Sequence, residues 1–594
     1  MSEEPKSISQ KFWQRLRRFI AVIFLLAAVA CIAATLAALA TDGWRHINED
    51  LWFIAWVGVI GAACGVIVLY PVPKFFGRLI LRFIRGLFTR RFWKLALIVL
   101  ACLAILVALF YAEEDFRGKW AWEKYKRAWE AKGEKFDLVS LAPPPVADDQ
   151  NFAMSPLLKT IFDYDMLTNA SEMEDNIRHR DTNAWARVEG IDAYLWVSST
   201  QTNPIYGNLD RGTFTDLESV RMFYRGNENY PQPTESKSAA EDILVVFAKF
   251  DAEFKGLKEA AAARPLARFP IAYDLDPPSE ILLPHLSAVK KISVCAELRA
   301  IAELELGRSK EALTELNLCF RLSDSIQHEP FLISHLSRLA DLTMALQVIR
   351  EGLLRHAWSG AQLAELENHL AAVDLLAEYN DVMHGERTRN VTEMNYFRRH
   401  KWQLKPNLFY PNNFWLALRY ALVPSGWYCQ NMLAISRLYQ DRVLSTVDAK
   451  KHRLNFESLD TAETTHVNSY FGPYHFLVGI FFPATTTALM KSARTQTYVD
   501  AARVACALER YRLATGELPK TLDALVPRFI DKIPNDVIDG HPLRYHPVAD
   551  GNYIIYSIGW NQIDDGGERF WKYPEKKLAP DFDKDDWVWS SSAP

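Results

Sequence analysis

Apolar residues crowd the first 112 positions into three stretches, at about 19–40, 51–70 and 92–112, and nothing comparable follows. At a helical rise of about 1.5 Å per residue each covers roughly 30 Å or slightly more, the hydrocarbon thickness of a bilayer. The pattern predicts a three-helix membrane anchor over 1–112. Residues 113–594 then make a large soluble part on one side of the bilayer.

Beyond the anchor the polar and apolar positions read mainly as α-helix. Residues 113–142 are charged and aromatic (Phe116, Trp120, Trp122, Tyr125, Trp129) and predict a helical stalk, which Pro143-Pro144-Pro145 stops before the main domain. A helical domain is expected over 143–480, with turn-rich sequence from 150 to 235 and sharper periodicity later. Val294, Leu298 and Ile301 mark one helix; Ala312, Leu316, Cys319 and Phe320 a second; Leu332 through Leu353 a third; Leu363, Leu366, Leu370 and Val373 a fourth. The hairpin from Gly307 to Ala312 resembles a tetratricopeptide unit. No ~34-residue period recurs, so the array is read as irregular.

The pattern changes near the C-terminus. Ala501, Val504, Ala505, Leu508 and Tyr511 share one helix face, Gly516 can cap that helix in the left-handed conformation, and Pro519 prevents continuation. Leu543–Val548 and Tyr553–Ile558 flank Asp550-Gly551 as hairpin strands, and Asp586–Trp589 can add another. Residues 484–594 are thus expected to form a small α+β module.

Charge adds an orientation. Five Lys or Arg precede the first stretch, one (Arg45) lies in the first loop and seven (Lys74, Arg78, Arg82, Arg85, Arg90, Arg91 and Lys94) run through the second loop into the start of the third stretch. The positive-inside bias predicts a cytoplasmic N-terminus and an extracytoplasmic C-terminal part, although six more cations follow the third stretch. Phe75 to Phe88 alternates apolar residues with arginines, as in a connector at the headgroup surface. The net charge of −4 supplies no basic field for nucleic acid. Of seven cysteines, Cys295, Cys319, Cys429 and Cys506 fall in the soluble part without zinc spacing. Cys295 and Cys319 stand level on the hairpin across Gly307. Packed helix axes lie about 8–10 Å apart, wider than a disulfide spans, which favours buried thiols over a bond.

Leu508-x-x-Tyr511, Thr515-Gly516-x-x-Pro519, Ile533-Pro534-x-Asp536, Gly540-x-Pro542-Leu543-x-Tyr545 and Tyr556-Ser557-x-Gly559 form an ordered set. With this set, residues 490–590 resemble the C-terminal domain of the major pseudopilin of type II secretion systems. The whole chain looks like large bacterial membrane proteins that place such a module after a helical domain. The resemblance implies a calcium loop at Asn561, Asp564, Asp565 and Asp586, with Asn561 where an aspartate is usual. It also implies a bacterial inner-membrane address with a periplasmic C-terminal domain. The three-stretch N-terminus departs from a pilin leader, so pseudopilus assembly is not implied.

Catalytic signatures are sparse. G-x-S-x-G, the P-loop, G-x-G-x-x-G and H-E-x-x-H are absent from the sequence. Glu463-x-x-His466 has the spacing of one half of a di-iron site, yet no second copy exists. Asp581-x-Asp583-x-Asp585 lacks the glycine and glutamate of an EF-hand. No catalytic residue or cofactor beyond calcium is assigned. The expectation is a membrane-anchored, non-enzymatic interaction or scaffold protein, contacting the lipid bilayer and other envelope proteins; the alternative is a periplasmic hydrolase whose site converges from distant residues.

Overall fold

The computed structural model describes residues 90–166, 177–191, 208–401, 422–463, 472–482, 484–548, 551–568 and 581–592. Its longer helices are α1 (Arg90–Glu130), α2 (Ala239–Phe247), α3 (Asp251–Ala263), α4 (Pro284–Glu305), α5 (Ser309–Asp324), α6 (Leu332–Leu354), α7 (Gly360–Ala371), α8 (Leu375–His400), α9 (Ser425–Leu438) and α10 (Thr485–Thr515). Two-stranded pieces are β1 (Tyr164–Met166) with β2 (Ile177–His179), and β3 (Val447–Asp448) with β4 (Arg453–Leu454); β5 (Arg544–Val548), β6 (Asn552–Ser557) and β7 (Trp587–Ser590) form an antiparallel sheet in that order. Contacts divide the chain into two compact units between Tyr111 and Ala112.

Among the described residues, Trp93–Glu130 within α1 is the one helix long and apolar enough to cross a bilayer. Leu95, Leu100 and Leu106 are each about 60% exposed. This corrects the expected three-helix anchor, and with it the multi-pass inner-membrane topology, to a single candidate span. The stretches 19–40 and 51–70 lie outside the described residues. Apolar length satisfies only the length requirement; a span also needs a formed helix whose backbone groups are satisfied internally. That is seen at Arg90–Glu130.

The stretch expected as a helical stalk contributes Trp122, Phe136 and Leu138 to the second unit's core. Trp122 is buried, with its ring 5.6 Å from Phe136 in an edge-to-face contact. At Gly118 an added Cβ would lie 2.2 Å from the Gly426 carbonyl oxygen, and at Gly426 one would lie 1.9 Å from that of Glu114. α1 and α9 therefore meet backbone to backbone, a distance only glycine permits. Around this contact Gly426 N–H donates to Asp115 Oδ1 at 2.7 Å, Trp427 Nε1 to Glu114 Oε2 at 3.0 Å, and Tyr474 hydroxyl to Glu114 Oε1 at 3.1 Å.

α4 is the centre of the helical body and packs on α2, α5 and α6. Ile292 to Leu298 are all buried, so this part of the helix is enclosed on every side. That is the reason the expected tetratricopeptide hairpin is not seen: stacked repeat helices keep an outer face open, whereas the middle of α4 is covered all round. Cys295 and Cys319 are buried and not disulfide-bonded, and Cys319 Sγ donates to the Ser293 carbonyl oxygen at 3.7 Å.

α10 packs along α6, α7 and α8 and also against β6 and β7. Gly516 ends it at φ +86. Leu508 is fully buried, and the Tyr511 ring lies 5.5 Å from Phe529. The helix is therefore shared between the helical body and the sheet, and Ala112–Pro594 is one compact unit with no boundary at 484.

Candidate functional site

Two places hold chemistry. The first is the loop after β6, where the resemblance implied calcium. Asp564 Oδ2 accepts from Arg544 Nε at 2.9 Å, and its Oδ1 accepts from Tyr556 hydroxyl at 3.1 Å and Gly566 N–H at 3.0 Å. Asp586 Oδ2 accepts from Asp565 N–H at 3.1 Å and Gly567 N–H at 2.7 Å. Asn561 Oδ1 accepts from Ile563 N–H at 3.0 Å while its Nδ2 donates to the Lys584 carbonyl oxygen at 2.7 Å.

Calcium takes six to eight oxygens. Asp586 Oδ1 is buried without a partner among the described residues, and burial, reinforced by Asp565 and Asp564, pushes this carboxyl up to about 6. That one oxygen fits an ion. Asp564 is neutralised by Arg544 and Asn561 is committed to its own loop, so the four residues do not converge as a ligand set. Among the described residues no group of three or more His, Cys, Asp or Glu side chains is arranged to hold a metal. Neighbouring motif residues serve the fold: buried Asp536 accepts from Ser557 hydroxyl at 2.7 Å and Ile558 N–H at 3.1 Å, and Tyr545 hydroxyl donates to the Pro519 carbonyl oxygen at 2.9 Å. Glu463 and His466 are not described at the side-chain level.

The second place is a cleft of about 730 Å³ in the Ala112–Pro594 unit. One wall comes from the turn after α1, where Gly133 at φ +97 reverses the chain and presents Glu134. Leu141 to Pro144 continue it. The opposite wall is the first half of α8, and the floor includes Gln327 to Pro330. At Gly385 an added Cβ would lie 2.0 Å from the Pro330 carbonyl oxygen, so α8 and this turn touch through backbone.

Asp381 and His384 are three residues apart on α8 and share a face of it. Glu134 Oε2 lies 2.9 Å from His384 Nδ1 and 2.8 Å from an Arg387 guanidinium nitrogen. Burial raises the Glu134 carboxyl, but the His384 hydrogen bond and the Arg387 charge outweigh it and hold the group down at about 2. Glu134 is thus a fixed anion that orients His384 through Nδ1, in the way a carboxylate sets an imidazole's tautomer. Arg387 is locked in turn by Gln440 Oε1 at 2.9 Å and the Lys135 carbonyl oxygen at 3.0 Å.

No family model, curated protein or solved structure matches the chain.

His328 lines the cleft, whereas His335 is buried with Nε2 2.8 Å from Ser492 Oγ. Glu134 and His384 were missed. They are 250 positions apart, and the only local signal was the i, i+3 pair Asp381 and His384.

Proposed function

We propose that the protein is a bilayer-tethered, non-enzymatic interaction scaffold whose helical body binds other envelope proteins. One observation carries the reading. The apolar window of α1 has no buried residue, while its polar length after Ala112 is bonded into a packed core through Glu114, Asp115 and Gly118. Hydrocarbon is the environment in which such an exposed apolar helix is stable. The same helix therefore supplies a tether and a structural element of the body. The resemblance of residues 490–590 to a pseudopilin adds secretion components as a candidate partner class.

The test is photo-crosslinking in cells, with the probe at exposed positions such as Met222 and Phe223, 64% and 45% exposed on the helix Leu217–Tyr224. Discrete envelope proteins should be captured from the membrane fraction. Absence of any crosslinked partner from every probe position would end the scaffold reading. Extraction of the protein by alkaline carbonate would end the tether reading.

A further inference from the structure

Most charged groups lining the cleft are satisfied within the protein, and the exceptions share a chemical character. Arg387 is held by Glu134. Glu378 accepts from Arg338 Nε at 2.8 Å, and Glu329 pairs with His285 Nε2 at 2.8 Å. Asp374 lies 3.3 Å from His452 Nδ1 and also caps α8 through Ala377 N–H. Lys135 Nζ donates to the Ser140 carbonyl oxygen at 2.7 Å, and Lys132 Nζ sits over the Trp129 ring at 3.9 Å.

Three groups remain. Asp381 makes no hydrogen bond or ion pair among the described residues; His384, His328 and Asp374 are the side chains that act on it, and neither lysine is among them. His384 has Nδ1 occupied by Glu134 and no partner for Nε2, and His328 has no hydrogen bond. When the ring is neutral its Nδ1 proton is directed at the Glu134 carboxylate, and Nε2 is the acceptor. A carboxylate and an imidazole acceptor on one helix face thus lack donors, while Leu141, Pro143, Pro144 and Val382 supply an apolar surface beside them.

We propose that this cleft binds a small ligand through a primary ammonium group, which donates to Asp381 and to His384 Nε2 while its carbon frame lies on the proline and leucine wall. An ammonium carries three donors and no acceptor, matching an anionic oxygen and an adjacent imidazole nitrogen. The cleft volume lies within the range of small-molecule sites. Glu134 is a positioning residue: it sets the tautomer that makes Nε2 an acceptor. This site goes beyond the tether and scaffold and does not depend on them.

The test uses full-length protein in lipid nanodiscs and isothermal titration with putrescine, glucosamine and N-acetylglucosamine. Putrescine and glucosamine should bind, and N-acetylglucosamine, whose nitrogen is neutral, should not. Asp381→Asn should weaken amine binding at least about tenfold, a difference of ~1.4 kcal/mol, and His384→Ala should weaken it too. Lys132→Ala, on the rim, should leave it unchanged. Asp381 is exposed, so its variant keeps the fold, and a melting curve verifies this. Failure of both amines to bind, equal binding by Asp381→Asn, or equal binding of the N-acetyl sugar would each overturn the proposal.

Discussion

Nε2 of His335 lies 2.8 Å from the hydroxyl of Ser492, which joins α6 to α10 across 157 positions of sequence. His335 is completely buried, and burial, followed by the charge of Arg338, pushes its pKa down to about 3. A histidine depressed in the folded state contributes stability that is present above its unfolded value near 6.5 and is lost as pH falls toward 3. His335→Gln should therefore flatten the acid side of the stability profile, measured by urea unfolding from pH 7 to pH 4. An unchanged acid slope would contradict this burial argument.

Asp341 acts in the opposite sense on the same helix. Its carboxyl is fully buried, and burial raises it to about 7 against the pull of Lys290 and Arg338. Its favourable contribution is complete below the unfolded value near 3.8 and declines as pH rises through about 7. Asp341→Asn should raise stability at pH 8 relative to the parent and change it little at pH 4. Comparing this variant with His335→Gln separates two effects that partly cancel in the parent chain.

Glu297 sits in the all-buried stretch of α4 with neither carboxyl oxygen hydrogen-bonded among the described residues. Burial, together with Glu351 and Asp341, raises its pKa far above the ordinary carboxylate value. A buried polar group without a partner costs about 1–3 kcal/mol. Glu297→Met should stabilise the protein by roughly 1–2 kcal/mol in chemical denaturation. A loss of stability of that size would mean the carboxyl has a partner that the fold requires.

The Gly118 and Gly426 contact should be intolerant of side chains. Gly426→Val places a branched side chain where even a Cβ meets the Glu114 carbonyl oxygen. Overpacking of this kind costs typically ~1–3 kcal/mol or more. Limited proteolysis should then cut within 112–135 before the rest of the body, because α1 loses its seat. Leu508→Ala tests a different part of the core: its fully buried side chain should cost ~2–5 kcal/mol through the cavity left between α10 and its neighbours.

In the C-terminal loop, Arg544 holds Asp564 Oδ2 and two backbone N–H groups hold Asp586 Oδ2, which leaves Asp586 Oδ1 as the one buried oxygen of this pair without a partner among the described residues. Calcium at millimolar concentration should leave the melting temperature unchanged, whereas Arg544→Ala should lower it. A calcium-dependent rise abolished by Asp586→Ala would show that Asp564 leaves Arg544 to join an ion with Asp586.

Local pattern alone determined much of this protein. Leu332 to Leu353 and Leu363 to Leu370 are helical because apolar residues recur at helical spacing, Gly516 ends α10 because it accepts a positive φ, and Gly551 at φ +71 lies between paired strands. These properties depend on neighbours a few residues away, so a linear reading finds them. Apolar stretches gave the length for three spans, but a formed helix is described only at the third. Periodicity at Gly307 marked a helix turn and could not say that Ile292–Leu298 of α4 would be covered on every side. Only the tertiary structure brought Glu134 to His384, seated Gly118 on Gly426 and turned Asp564 toward Arg544. Each of these depends on backbone paths between segments far apart in sequence, and a side chain's partner is set by that geometry rather than by its own type.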